Sequence, residues 1–275
     1  MHKRLSANKR LGQNFLTDKR YIEKILNACA FTKKDSLLEI GPGMGALTSG
    51  LALACKRLTA VEFDKRLFSF LREKYSGCEN VEIVHSDILK FDIKAQSEIC
   101  KIKLKVIGNL PYYITTPIIA YLIDNRQYLQ SAFITVQKEV AQRLTASPGG
   151  KTYGSLSCFV QVYTKPQIVF YIPKGVFYPA PSVESAFVKL DFLQTPAVKV
   201  NDEQFFLKVI NAGFSKRRKT LANALSSAGL TSLNKQQIIQ VLEGLSIAPT
   251  RRAETLNLQE FACIAQNLPE NENKN

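Results

Sequence analysis

The chain has 275 residues, more than one typical domain and fewer than two large ones, so one main domain with a smaller appendage is expected. Its 37 Lys+Arg against 23 Asp+Glu give a formal charge of +14, which favours a polyanionic partner, nucleic acid or an anionic membrane surface, over a merely solvated basic face. No apolar run approaches the roughly 18 to 20 residues that span a bilayer. The opening MHKRLSANKRLGQNF lacks a secretory apolar core, and neither the six dispersed cysteines nor His2 and His85 form a metal-ligand cluster. A cytosolic protein with free, mostly buried thiols, no metal and no membrane association is expected.

The first 34 residues hold nine Lys+Arg and two acids, a basic arm leading into a helix over 18–30. Thr17 is placed to cap it, and Tyr21, Ile22, Ile25, Leu26 and Cys29 recur at helical spacing. An alternation follows: strand 36–40, helix 46–55, strand 58–63, helix 65–75, strand 81–85, strand 104–108, helix 116–124, strand 132–136 and helix 138–145. Strands separated by helices of this length predict a parallel sheet covered on both faces. The runs QIVFYI (167–172) and SAFVKLDF (185–192), with only a proline-rich loop between them, predict an antiparallel pair closing one edge. Beyond QTPAVKVND the spacing is helical only, and the last helix opens on Asn257-Leu-Gln-Glu260, the pattern of a capping box. The expected architecture is α/β, a catalytic domain over 1–195 followed by a small helical domain over 196–275.

LLEIGPGMGALTSGL follows the first of these strands and opens a helix. Gly41, Gly43 and Gly45 allow a tight turn and let a ligand approach the backbone. At the end of the second strand, Glu62 is placed to accept from both ribose hydroxyls of an adenosine-containing cofactor. Gly41, Gly43 and Ala46 also satisfy G-x-G-x-x-A, so the loop alone fits a dinucleotide as well as S-adenosylmethionine. Asp87, after the third strand, is placed to accept from an adenine amino group, and Asn109 follows the fourth. Acids at successive strands, Glu39, Glu62 and Asp87, suit a compact cationic cofactor better than a pyrophosphate, which they repel. For Glu39, solvation at a strand end is an equal reading.

The stretch NLPYYITTP (109–117) sits where a strand meets a loop, a usual place for chemistry. The exocyclic amine of adenine or cytosine is a poor nucleophile because its lone pair is delocalised into the ring. The amide oxygen of Asn109 and the main-chain carbonyl of Leu110 are suited to accept both amine hydrogens and steer the lone pair toward a methyl sulfonium. Pro111 stiffens the turn, Tyr112 offers a stacking ring, and Phe177, ahead of Pro179 and Pro181, offers a second. No general base is needed before attack, so catalysis would be positioning and electrostatics. An ordinary turn with a buried tyrosine is the alternative.

Together, GQNFL (12–16), EIGPGMGALT (39–48), VEFD (61–64), SDIL (86–89), NLPYYITTPII (109–119) and FYPAPSVESAFVKL (177–190) resemble the ribosomal RNA adenine-N6 dimethyltransferase family. FSKRRKTLANAL and RRAETLNLQEFACIA look like its small-subunit (16S) branch, and the resemblance runs from Arg10 to about Leu268. It implies a Rossmann-like S-adenosylmethionine-dependent methyltransferase sheet with a small all-helical C-terminal domain. The implied reaction is N6-dimethylation of two adjacent adenosines in the 3′-terminal hairpin of 16S rRNA, on small-subunit (30S) particles, by a cytoplasmic monomer serving ribosome biogenesis. By the same resemblance Asn14 and Leu16 contact the cofactor from the arm, with Gly41, Gly43, Glu62, Asp87 and Asn109 completing its site. Leu110, Tyr112 and Phe177 form the target-adenine pocket. Two positions depart from the family pattern: Tyr113 stands where asparagine is frequent, and Ser182 where lysine is common.

RNA contact is assigned to the run Lys216, Arg217, Arg218 and Lys219 and to Arg251 and Arg252, with Lys9, Arg10, Lys19 and Arg20 at the other end. Three other readings compete. The large-subunit (23S) branch shares the N-terminal motifs, a non-catalytic RNA-binding assembly factor would keep the fold, and a nicotinamide oxidoreductase fits the glycine loop alone.

Overall fold

The computed structural model describes residues 7–8, 11–216 and 218–271. The chain forms two compact units, residues 1–141 with 164–194, and residues 142–163 with 195–275.

In the first unit a short strand β1 (Phe15–Leu16) and helix α1 (Lys19–Cys29) lead into β2 (Ser36–Ile40), α2 (Thr48–Ala54), β3 (Arg57–Glu62), α3 (Lys65–Lys74) and β4 (Val81–His85). Then come α4 (Ile93–Cys100), β5 (Leu104–Asn109), α5 (Thr115–Asp124), β6 (Leu129–Gln137) and α6 (Lys138–Leu144). After α7 (Ser155–Tyr163) the chain returns as β7 (Thr164–Ile172), β8 (Phe177–Tyr178) and β9 (Ser185–Phe192). The main sheet has the order β4-β3-β2-β5-β6-β9-β7. Strands β2 to β6 pair in parallel, and β9 runs antiparallel to both β6 and β7. The expected antiparallel pair therefore exists, with β9 inside and β7 at the edge, the position in a sheet where a strand can hold a proline such as Pro166.

The order places β2 beside β5 at the point where the chain reverses its direction of travel across the sheet. Loops leaving the carboxyl ends of these two strands part there and open a crevice. Both faces of β2 are covered, and all five of its residues are buried. Leu37, Leu38, Leu51 and Leu58 are fully buried around it, each contributing about 1.5–3 kcal/mol from apolar transfer.

Local boundaries differ from the sequence reading for identifiable reasons. Asp18, not Thr17, caps α1, accepting from the amides of Arg20 and Tyr21, while the Thr17 hydroxyl donates to the Val176 carbonyl at 3.2 Å. Helix α2 begins at Thr48 rather than Ala46 because the turn closed by Gly45 N–H on the Pro42 carbonyl uses the preceding residues. Helix α4 is additional: its buried face includes Gln96, whose amide donates to the Thr59 hydroxyl at 2.8 Å, so its apolar spacing is broken. Helix α7 is also additional, buried on nearly every side and thus without a helical period. It belongs to the second unit, where it packs on α8 (Glu203–Phe214), and so moves residues 142–163 out of the first unit, where the sequence reading puts them.

The second unit continues with α9 (Leu221–Ala228), α10 (Lys235–Gly244) and α11 (Leu258–Asn267). Phe206 and Phe261 are its largest fully buried side chains. The capping box at Asn257 and Glu260 is closed from both sides at 2.9 Å, and Asn234 with Gln237 forms a second one. All six cysteines are free; Cys29, Cys55 and Cys158 are buried, and Cys78 is exposed. Among the described residues no helix is long and apolar enough to cross a membrane.

Candidate active site

The crevice beside β2 and β5 is a cavity within the first unit. It is lined by residues 11–15 of the arm, Gly41 and Gly43, Glu62 and Phe63, residues 86–89, and residues 109–114. Gly41 and Gly43 both adopt left-handed backbone, φ 64° and 61°. A side chain on Gly43 would meet the Phe15 ring at 3.0 Å, whereas above Gly41 there is open space, a place for a ligand to lie on the backbone.

Glu62 is buried and held from two sides. Its Oε2 accepts from Gly43 N–H at 3.1 Å and its Oε1 from Asp64 N–H at 2.9 Å, one bond per oxygen. Burial pushes its pKa up, and the amide donors oppose that. Asp64 in turn caps α3, pairs with Arg66 at 2.7 Å and accepts from the Gln13 amide at 3.2 Å. The arm is thereby tied to the carboxylate end of β3. Asp87 spends Oδ1 on the Leu89 N–H at 3.0 Å, leaving its second oxygen to the cavity it lines.

Asn109 ends β5, and its Nδ2 donates to the Asn14 carbonyl at 2.8 Å. A carbonyl only accepts, so the amide hydrogens are fixed on the arm side and Oδ1 is left as an acceptor. Among the described residues no donor reaches that Oδ1 or the Leu110 carbonyl. Pro111 and the 3₁₀ turn Tyr112–Ile114 follow, tightened by the Ile114 N–H on the Pro111 carbonyl at 3.2 Å. The Tyr112 hydroxyl lies 2.6 Å from Ser185 Oγ, a fully buried group on β9. Burial raises the pKa of this phenol, so it serves as a neutral hydroxyl.

The structure thus brings Asn14, Gly41, Gly43, Glu62, Asp87, Asn109, Leu110, Pro111 and Tyr112 to one cavity. Leu16 and Phe177 do not line it. They face each other across the β1–β8 pair, inside the core behind the arm, with Phe177 only 4% exposed. Glu39 is also absent from the lining: it is buried beneath α2, where it accepts from the Thr48 hydroxyl at 2.8 Å. Strand-end solvation is overturned along with the cofactor role. The lining residues Gln13, Phe63 and Tyr113 stand inside the resembling motifs, but no spacing or charge pattern assigns them to the cavity; Ser185 is in the same way one member of an ordinary β run.

Of the basic residues, Lys216, Arg218 and Lys219 are exposed, as are Lys19 and Arg20, while Lys9, Arg10 and Arg217 lie outside the described residues. Arg251 is committed inside its own unit, pairing with Glu260 and donating to the Thr255 carbonyl at 2.7 Å. Arg252 is exposed, 3.9 Å from Glu254.

A switch-point crevice with a glycine turn, a buried carboxylate at the second parallel strand and an Asn-Leu-Pro-Tyr loop at the fourth defines a Rossmann-like S-adenosylmethionine-dependent methyltransferase fold. A dimethyladenosine transferase from Plasmodium falciparum matches it with a TM-score of 0.77 at 26% identity, over 91% of this chain and 95% of that one. The 23S rRNA methyltransferase ErmE shares the fold with a TM-score of 0.72 at 23% identity, over 93% and 99%. In sequence, the chain is 44% identical to the ribosomal RNA small subunit methyltransferase A of Moorella thermoacetica over 97% of its own length and 94% of that protein. It is 42% identical to the Bacillus licheniformis protein of the same name, over 96% and 92%. The family model described as ribosomal RNA adenine dimethylase matches residues 4–263, and the chain belongs to that family.

Proposed function

We propose that this protein transfers methyl groups from S-adenosylmethionine to N6 of two adjacent adenosines in the 3′-terminal hairpin of 16S rRNA, acting as a cytoplasmic monomer on small-subunit (30S) particles. The observation that carries the reading is the pair of unclaimed acceptors, Asn109 Oδ1 and the Leu110 carbonyl, on adjacent cavity-lining residues just ahead of a turn that also presents Tyr112.

The residues fit the cofactor. Open backbone at Gly41, the spare lone pairs of Glu62 and the free oxygen of Asp87 offer a resting surface and acceptors for ribose hydroxyls and an adenine amine, while Gly43 holds Glu62 through its N–H and Asn14 closes the site from the arm. Bound there, S-adenosylmethionine supplies an electrophilic methyl on a sulfonium. Asn109 and Leu110 accept the two hydrogens of the adenine amine, localising its lone pair and orienting it for in-line attack. Tyr112 stacks on the base. The amine loses its proton to water after transfer, so no side chain has to act as a base. Leu16 and Phe177 back the pocket from the core, and Lys216, Arg217, Arg218, Lys219 and Arg252 serve phosphate contact.

Methyl transfer from labelled S-adenosylmethionine to 30S particles lacking the modification, with 50S particles and free RNA alongside and nucleosides analysed afterward, tests this. Dimethyladenosine is expected in the 30S sample only. Label in 50S particles would move the protein to the large-subunit branch, and cofactor binding without transfer would make it a binding factor.

A further inference from the structure

Two tyrosines follow Pro111, and they go different ways. Residues of a 3₁₀ turn succeed one another by about 120° around its axis, so neighbouring side chains diverge. Tyr112 is drawn to β9 by Ser185 Oγ at 2.6 Å. Tyr113 instead lies on the arm: a Cβ built on Gly12, whose φ is 59°, would come within 3.2 Å of its Cδ1. Both rings line the cavity, yet Tyr113 remains 60% exposed. One planar base cannot lie between two rings that diverge. A small cofactor enclosed by Gly41, Glu62 and Asp87 would not leave the ring open to solvent either.

We infer that Tyr113 is a second stacking platform that takes the nucleobase adjoining the target adenosine, so that the loop binding one base also registers its neighbour. The inference rests on the methyl-transfer reading above for what occupies the Tyr112 side. Stacking of an unpaired base on an aromatic ring tolerates any base, so this platform sets position along the strand and leaves base identity to Asn109 and Leu110.

The test compares wild type, Tyr113→Ala and Tyr113→Phe in three readouts. These are steady-state methylation of 30S particles, binding of S-adenosylmethionine, and fluorescence of a single-stranded oligoribonucleotide carrying 2-aminopurine next to an adenosine. Tyr113→Ala is expected to raise KM for the particle roughly 5- to 100-fold, with the loss falling in KM rather than kcat. Its cofactor Kd stays at the wild-type value, its 2-aminopurine quench disappears, and Tyr113→Phe restores all of these. An unchanged KM and quench in Tyr113→Ala overturns the inference. So does weakened cofactor binding with unchanged RNA readouts, which would make the ring a support for Gly12. A wild type that quenches the oligonucleotide but methylates nothing overturns the methyl-transfer reading, while the quench in Tyr113→Ala still decides the platform.

Discussion

Asn109 gives an amide hydrogen to the arm, and in the proposed mechanism it keeps its oxygen for the substrate, so one side chain would join two tasks. Asn109→Ala should lower kcat by about 10²–10³-fold, the usual cost of a lost preorganised polar group, with the thermal midpoint little changed. Near-normal turnover would remove the amide from the mechanism. Asn109→Asp goes further, because a carboxylate has no hydrogen for the Asn14 carbonyl and repels it. It should weaken S-adenosylmethionine binding as well as turnover, as isothermal titration would read. Ser185 acts through Tyr112 in the same manner. Ser185→Ala and Tyr112→Phe each remove the 2.6 Å contact, so each should raise KM for RNA several-fold and the double variant should do no worse than either alone. Additive effects would show that the hydroxyl pair does not position the ring.

At the scale of elements, the inner parallel strands β2, β3, β5 and β6 were legible because they are buried along most of their length and largely apolar, while the edge strand β4, with no buried residue, was legible from its place in the alternation. The elements that escaped notice were those whose burial breaks periodicity: α4 through Gln96, α7 through burial on nearly all sides, and β1 with β8 through having two residues each. The same limit applies to the site. Glu62, Asp87 and Asn109 were readable from their places at strand ends, but a contact such as Asn109 to Asn14 joins residues far apart in sequence and leaves no spacing to read. Glu39 shows how a strand-end acid becomes structural. Burial, opposed by the Thr48 hydroxyl and reinforced by Glu62, pushes its pKa from 4.5 up to about 8. The native state therefore keeps a proton that the unfolded chain has lost. Its stability contribution is full below about pH 4.5, falls as pH rises toward about 8, and levels off above. Glu39→Gln keeps an acceptor for Thr48 and removes this titration. Denaturant midpoints should show the variant gaining on wild type between pH 5.5 and pH 8.5; parallel pH profiles would mean that Glu39 is charged in the native state.

For the whole molecule, a formal charge of +14 makes the response to salt the informative measurement. Each phosphate contact to single-stranded RNA steepens the dependence of log affinity on log salt by roughly 0.7. Replacing Lys216, Arg218 and Lys219 with alanine should flatten that slope by about 2 if all three bind phosphate. Arg251→Ala should leave the slope alone and lower the thermal midpoint, since it frees Glu260 and the Thr255 carbonyl. An unaltered slope in the triple variant would return those residues to a solvated face. The charge was plain in the sequence, whereas the commitment of Arg251 needed the fold.

The pairing of Phe15 with Tyr178 and of Leu16 with Phe177 also sets a clock for the newborn chain. The arm leaves the ribosome first, but the strand that seats it is made some 160 residues later, which at 5–20 residues per second is a wait on the order of ten seconds or more. Until then the front wall of the pocket hangs on contacts such as those of Gln13 with Asp64 and of Asn109 with Asn14, so the chain would acquire a fully seated pocket only when translation of its first unit is nearly over.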